Sequence, residues 1–150
     1  MRFLIQVVKN ASVDVDNNTI GKIERGFLVF VGVCDTDTKE IADKMIRKTV
    51  NLRIFEDENG KTNLAIGDIG GSMLVISQFT LYADCKKGNR PSFIKAGDPA
   101  HANELYEYIQ SELRNTYNIN TECGSFGADM QVSLINDGPF TVMLDSAEIL

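Results

Sequence analysis

Ser77, Gln78 and Thr80 follow directly on Met73-Leu74-Val75-Ile76, and this change of character is the first place where chemistry could reside. Four consecutive apolar residues fit a strand buried on both faces. Two hydroxyls and an amide at its end must find partners, since a buried polar group left unpaired costs roughly 1–3 kcal/mol. Neighbouring strands or ordered water could supply them; alternatively, the strand end is the polar floor of a pocket. A second grouping follows at once. Lys86, Lys87, Arg90 and Lys95 fall within Asp84 to Lys95, a segment that Gly88 and Pro91 mark as a loop, where they could steer a small anion or the tip of a nucleic acid toward the strand end.

Other reaction types are poorly supplied. His101 is the single histidine, so a Ser-His-Asp triad, a Cys-His pair or a His-rich metal site would all have to use it. It sits in the first turn of a helix, off the apolar stripe, and reads as structural. No metal site and no cofactor is expected: acidic residues are scattered, Gly70-Gly71 lacks the context of a nucleotide fingerprint, and no Walker lysine is present. Cys34, Cys85 and Cys123 are odd in number and widely spaced, which suits free thiols in a reducing compartment.

The elements that must position these residues follow from periodicity. Strands are expected at Arg2 to Val8, Ser12 to Val15, Thr19 to Ile23 and Phe27 to Val33, with a turn at Asp16-Asn17-Asn18, giving a β-meander. Asp37 as N-cap with Glu40 three residues on opens a helix whose Ile41, Ala42, Met45, Ile46 and Val50 recur at helical spacing. Leu52 to Phe55 reads as a strand, followed by a turn at Asp57-Glu58-Asn59-Gly60. Asp98-Pro99 caps a second helix with the stripe Ala102, Leu105, Tyr106, Ile109 and Leu113. Near the end, Met130, Val132 and Leu134 and then Phe140, Val142 and Leu144 alternate with other residues on either side of Asn136-Asp137-Gly138-Pro139. That pattern suggests two strands joined by a tight hairpin. Pro139 fits such a hairpin poorly, because it removes a ladder donor where the second strand should start. The Gly138-Pro139 bond is either a trans bond ending the hairpin or a cis bond turning two adjacent carbonyls into a rigid acceptor pair.

Composition sets the limits. At 150 residues one domain is expected, covering 1–150 and able to bury about 68–70% of its unfolded surface. The 24% charged and 43% hydrophobic fractions are ordinary for a soluble globule. No signal peptide is recognised and no run approaches about 18 apolar residues, so a cytosolic chain without membrane contact is expected. A net charge of −6 argues against gripping long stretches of phosphate backbone, leaving only a local patch such as the Lys86 to Lys95 loop.

Ser77-Gln78-Phe79-Thr80-Leu81 and Asn136-Asp137-Gly138-Pro139-Phe140-Thr141 resemble the two signature motifs of the D-aminoacyl-tRNA deacylases, in that family's order and spacing. Leu52-Arg53-Ile54-Phe55, Arg90-Pro91-Ser92-Phe93 and Phe126-Gly127-Ala128-Asp129-Met130-Gln131-Val132 match as well, so the resemblance covers essentially the whole chain. It implies a layered α/β fold: a mixed, largely antiparallel, curved and barrel-like sheet with two main helices packed on it. It also implies a cytosolic homodimer, without cofactor, that hydrolyses the ester joining a D-amino acid to the 3′ end of tRNA and removes glycine mischarged on tRNA for alanine. On this likeness the Gly138-Pro139 bond is cis and enters the partner subunit's site, its carbonyls facing the substrate's α-amino group. Thr141 belongs to the same substrate-binding and chiral-selection motif. Ser77, Gln78, Phe79 and Thr80 would line the pocket beside the scissile ester, and Phe126, Ala128 and Met130 would hold the terminal adenosine.

An aminoacyl ester is already reactive, so positioned water and donors to the developing oxyanion can suffice without histidine. The backbone N–H groups of Phe79 and Thr80 are the candidate donors. Thr80 makes a poor covalent nucleophile because no base is in view to activate it, whereas the substrate's vicinal ribose hydroxyl can take part. Two positions depart from the family pattern: Val7 after Gln6, and Ser125 between Gly124 and Phe126, where arginine is usual. These departures bear on chiral selectivity and on RNA binding. The rival readings are a non-catalytic module binding RNA 3′ ends or a free D-amino acid, and a purely structural dimer.

Overall fold

In the computed structural model, which describes residues 1–150, the long strand β1 (Arg2–Val15) has partners along both edges. Phe3, Ile5 and Val7 are buried in one core, whereas Val8, Ala11 and Val13 are buried in another, so β1 passes from one core to the other. A tight turn with positive φ at Asp16 and Asn17 leads to β2 (Asn18–Ile23) and then β3 (Gly26–Gly32). Both pair antiparallel with β1 in one register, Ala11 opposite Ile23 and Val8 opposite Gly26. The expected meander is therefore a two-armed hairpin, whose second arm is interrupted at Glu24-Arg25 and bulges at Ile20, where the register shifts.

The helix α1 (Lys39–Val50) buries Ala42, Met45, Ile46 and Val50, as its spacing predicts, while Ile41 of the same stripe is half-buried. Its N-cap is Thr38, whose hydroxyl accepts from the Ile41 N–H, not Asp37. Asp37 is instead buried and accepts from the Cys34 N–H at 2.8 Å and the Met1 amino group at 2.6 Å. Of the strand expected over Leu52 to Phe55 only Phe55 is paired: β4 is Phe55–Glu56 and pairs with β5 (Thr62–Leu64) in a separate two-stranded sheet, docked through Phe55 stacked on Phe27 at 4.9 Å.

β6 (Ser72–Ser77) runs parallel to β3, and the helix α2 (Pro99–Asn115) leads to β7 (Asn120–Cys123), which runs parallel to β6. Met73 and Val75 face the larger core, shared with both helices; Leu74 and Ile76 face the smaller one. Burial on both faces is why this run carries no alternation. The Asp98 carboxylate caps α2 by accepting from the Ala100 and His101 N–H groups, with Pro99 in the first turn. β2 curls back over β6 and β7: a Cβ on Gly21 would stand 3.1 Å from the Cys123 carbonyl oxygen and 3.3 Å from Leu74 Cδ1. The six-stranded mixed sheet thus nearly closes around the smaller core. No helix is long and apolar enough to cross a membrane.

The expected terminal hairpin is a single strand, β8 (Gln131–Asp145), antiparallel to β1 throughout. Leu134 lies opposite Ala11, Asn136 opposite Val8 and Thr141 opposite Gln6. Between the last two pairs one residue of β1, Val7, faces four of β8, so Asp137 to Phe140 are extruded as a bulge in a strand that then continues in the same direction.

Candidate active site

β6 ends at Ser77, and the chain does not continue as a strand: Phe79–Tyr82 form one turn of 3-10 helix. The Gln78 N–H donates to the Val31 carbonyl, and the Gln78 carbonyl accepts from the Leu81 N–H. The N–H groups of Phe79 and Thr80 have no partner in the fold. They are the leading donors of this turn, and Phe79 lines a cavity of about 580 Å³.

Ser77, Gln78 and Phe79 line that cavity together with Phe126, Gly127, Ala128 and Met130. Its lining is mostly apolar, and Ser77 and Gln78 supply side-chain polar groups, the composition expected of a site that holds a flat apolar surface and orients one polar end. Thr80 does not line the cavity; its hydroxyl accepts from the Gln78 side-chain amide at 2.6 Å. The sequence reading passed over Phe93 as a site residue. Phe93 packs its ring against Phe79, 5.1 Å away and near edge-on, and both rings stay partly exposed at the cavity. Its aromatic character within a polar loop was the available signal. Val31 of β3 with Val33 just beyond it, Ala96 and Gly97 of the loop before α2, Pro99 and Ala102 of α2, Ile76 of β6 and Val132 of β8 complete the lining.

The Phe126 wall is set where β6 and β7 part. The Gly124 N–H still donates to the Val75 carbonyl at 3.1 Å, and the buried Tyr106 hydroxyl donates to that same oxygen at 2.8 Å while lying 3.2 Å from the Gly124 carbonyl oxygen. Burial pushes the Tyr106 phenol well above its ordinary range, so it stays a donor. A tyrosine in the buried stripe of α2 needs such a partner, so its place in that stripe is the signal the sequence carries for this contact. Gly124 packs closely under Met130: a Cβ there would sit 2.5 Å from Met130 Sδ, so that side chain would have to move. Beyond it Ser125 accepts from the Ala128 N–H, and Gly127 takes φ +76° in the resulting turn.

His101 does not line the cavity; its Nε2 lies 3.0 Å from the Asp37 carbonyl oxygen. Cys34 and Cys123 are half-buried and Cys85 is exposed, all as free thiols.

The second motif lies elsewhere on the protomer. Gly138 and Pro139 are exposed, the bond between them is cis, and Gly138 lines a separate small cavity with Val7, Arg25, Phe55 and Phe140. Asn136 fastens the base of the bulge, its amide donating to the Val7 carbonyl at 2.9 Å and the Phe140 carbonyl at 3.0 Å. Thr141 adds 3.4 Å contacts to Gln6 and to Asn136. Val7, where arginine is usual in the resembling family, is buried in the larger core, and the loop is held here by Asn136. Ser77 is opposite Val31, Val31 opposite Phe3 and Phe3 opposite Leu144. The near-closed sheet brings only the start of β8, at Val132, to the large cavity, whereas Gly138 stands further along that strand and lines the separate one.

A family model described as D-Tyr-tRNA(Tyr) deacylase matches residues 4–145. The D-aminoacyl-tRNA deacylase of Thermosipho africanus is 53% identical over 149 residues, covering 99% of each chain. That of Lactobacillus gasseri is 53% identical over 145 residues, covering 97% of this chain and 99% of the other. Among solved structures, the c-Myc DNA unwinding element binding protein is 40% identical with a TM-score of 0.91, covering 97% of this chain and 98% of that one. A probable eukaryotic D-amino acid tRNA deacylase, at 16% identity and a TM-score of 0.84, covers 95% of this chain and 97% of its own and shares the fold. With a match from residue 4 to 145 and end-to-end relatives above half identity, the chain belongs to the D-Tyr-tRNA(Tyr) deacylase family.

Proposed function

We propose that this chain hydrolyses the ester of D-aminoacyl-tRNA, releasing a free D-amino acid and tRNA. The observation that carries this reading is the cavity that joins Ser77, Gln78 and Phe79 to Phe126, Ala128 and Met130 beside two unpaired backbone donors. The terminal adenosine lies along Phe126, Ala128 and Met130. The ester carbonyl oxygen points at the Phe79 and Thr80 N–H groups, which stabilise the negative charge that develops when water adds to the carbonyl carbon. The bond to the ribose oxygen then breaks and that oxygen takes up a proton. The vicinal ribose hydroxyl assists the transfer, because no side chain at the cavity is a histidine or a carboxylate.

Chirality is selected by a second copy of the chain. Gly138 and Pro139 do not line their own protomer's large cavity, yet they are exposed on a strand whose outer edge is unpaired. In a homodimer they enter the partner's site and their carbonyls hold the α-ammonium. An L side chain is then driven into this backbone, a D side chain points outward, and glycine has no side chain to clash. Glycine mischarged on tRNA for alanine is therefore a substrate as well, and the setting is the cytosol.

Ester loss from D-tyrosyl-tRNA, L-tyrosyl-tRNA and glycyl-tRNA for alanine tests the reading. The enzyme cleaves the first and third and spares the second. A binding module that protects all three esters, or a scaffold that changes none, refutes it; sparing glycine alone refutes the steric account of selection.

A further inference from the structure

The loop between the 3-10 turn and α2 carries four of the chain's fifteen basic residues and no acid from Cys85 to Gly97, in a protein of net charge −6. Two of the cations around it are already committed: Lys95 pairs with Asp84 at 2.9 Å, and Arg2 with Asp145 at 2.7 Å. Lys86, Lys87 and Arg90 are exposed and make no ion pair. The loop is nonetheless tied down. Asp84 and Ser92 exchange two backbone hydrogen bonds of 2.7 and 2.9 Å, the Gly97 N–H donates to the Val33 carbonyl, and Phe93 packs on Phe79. Phe93, Gly97 and Val33 all line the large cavity. Three free cations are thus held on a short hairpin whose root is the cavity wall, beside two partly exposed aromatic rings. Cations beside stacking rings are what single-stranded nucleic acid recognises, while the negative charge of the remaining surface repels phosphate.

We propose that Lys86, Lys87 and Arg90 form the docking site for backbone phosphates of the tRNA acceptor end, directing its terminal nucleotide over Phe79 and Phe93 into the cavity. This rests on the deacylase reading and adds the residues that grip the RNA outside the reacting nucleotide. The site contributes affinity and leaves the chemical step untouched.

The test compares the parent with the triple variant Lys86→Ala, Lys87→Ala, Arg90→Ala on D-tyrosyl-tRNA and on 3′-(D-tyrosyl)adenosine, which has no phosphate. For single strands each neutralised phosphate contributes about 0.7 to the dependence of log affinity on log salt, so three contacts contribute about 2. Between about 50 and 200 mM salt the parent's KM for the tRNA should rise about 20-fold more than the variant's. At low salt the variant should show a higher KM and a parental kcat, and both proteins should cleave the adenosine ester alike. The charge-preserving Lys86→Arg, Lys87→Arg variant should keep the parental KM. A parental KM and salt slope in the triple variant overturns the proposal, as does an equal loss on the adenosine ester, which would mean that the loop merely shapes the cavity. A parent that cleaves neither substrate refutes the deacylase reading itself.

Discussion

Replacing Asn136 by alanine should uncouple the Gly138-Pro139 loop from the sheet. The side-chain amide donates to the Val7 carbonyl at 2.9 Å and the Phe140 carbonyl at 3.0 Å, closing a bulge in which four residues of β8 face one of β1. A typical hydrogen bond contributes about 0.5–1.5 kcal/mol net, so losing two costs about 2 kcal/mol, the site being half-buried and open to replacement by water. For a chain of this size each kcal/mol corresponds to roughly 2–4 °C, which places the expected fall in Tm at about 4–8 °C. That loss leaves the fold populated at 25 °C, so any fall in kcat/KM toward D-tyrosyl-tRNA there reports the loop rather than unfolding. Met45→Ala supplies the control: it truncates a fully buried side chain of α1 away from both motifs, costing about 2–5 kcal/mol, and should keep the parental kcat/KM. An Asn136→Ala protein with parental Tm would show that the amide does not fasten the bulge. One with lowered Tm but parental kcat/KM would show that the bulge plays no part in the reaction.

Thr80→Ala should reduce turnover by far less than the roughly 10⁶-fold expected for removal of a nucleophile, because the Thr80 hydroxyl is occupied by Gln78 and lies off the cavity lining; near-complete loss with normal binding would restore it as nucleophile. Ala128→Trp, which fills the cavity, and Gly138→Val, which forces a side chain onto φ +127° with its Cβ 2.9 Å from the Phe140 nitrogen, should each be weak alone and recover activity on mixing. On the proposed shared site, a mixed dimer would assemble one site from an intact cavity and an intact loop, so absence of recovery sinks the shared-site account. Partial burial pulls the Asp145 carboxyl upward, but the Ala147 N–H and the Arg2 guanidinium outweigh it and hold the group below its usual range. A depressed carboxylate stabilises the fold above its unfolded pKa of about 3.9, and that contribution is lost as pH falls through the folded value. Urea midpoints of the parent should therefore drop on acidification below about pH 4 more steeply than those of Asp145→Asn; parallel curves would remove the pair from the acid response.

Local chemistry alone determined much of this protein. Asp98-Pro99 caps α2 because a carboxylate and a residue without an N–H suit the first turn of any helix, and Leu105, Tyr106, Ile109 and Leu113 are buried because their spacing leaves one face apolar. Met73 to Ile76 had to be covered on both sides, so the polar residues after them had to stand at the border of the core. What the chain could not declare locally was pairing. Alternation shows which face of a strand is wet, but not which edge finds a partner, so β2 and β3 looked like separate meander strands and proved to be one arm against β1. The same pattern around Asn136-Asp137-Gly138-Pro139 serves a hairpin or a bulge equally well. Only the continued pairing of both halves with β1, fastened by Asn136, decided for the bulge. Asp37 and Thr38 were equally able to cap α1, and the choice fell to Thr38 because Asp37 was needed in the interior by Cys34 and the Met1 amino group. The cavity itself is tertiary: Ser77, Phe93 and Phe126 come from three segments that meet only because β3, β6 and β7 curve together. The same curvature leaves Gly138 on another part of the surface, where a second chain can use it.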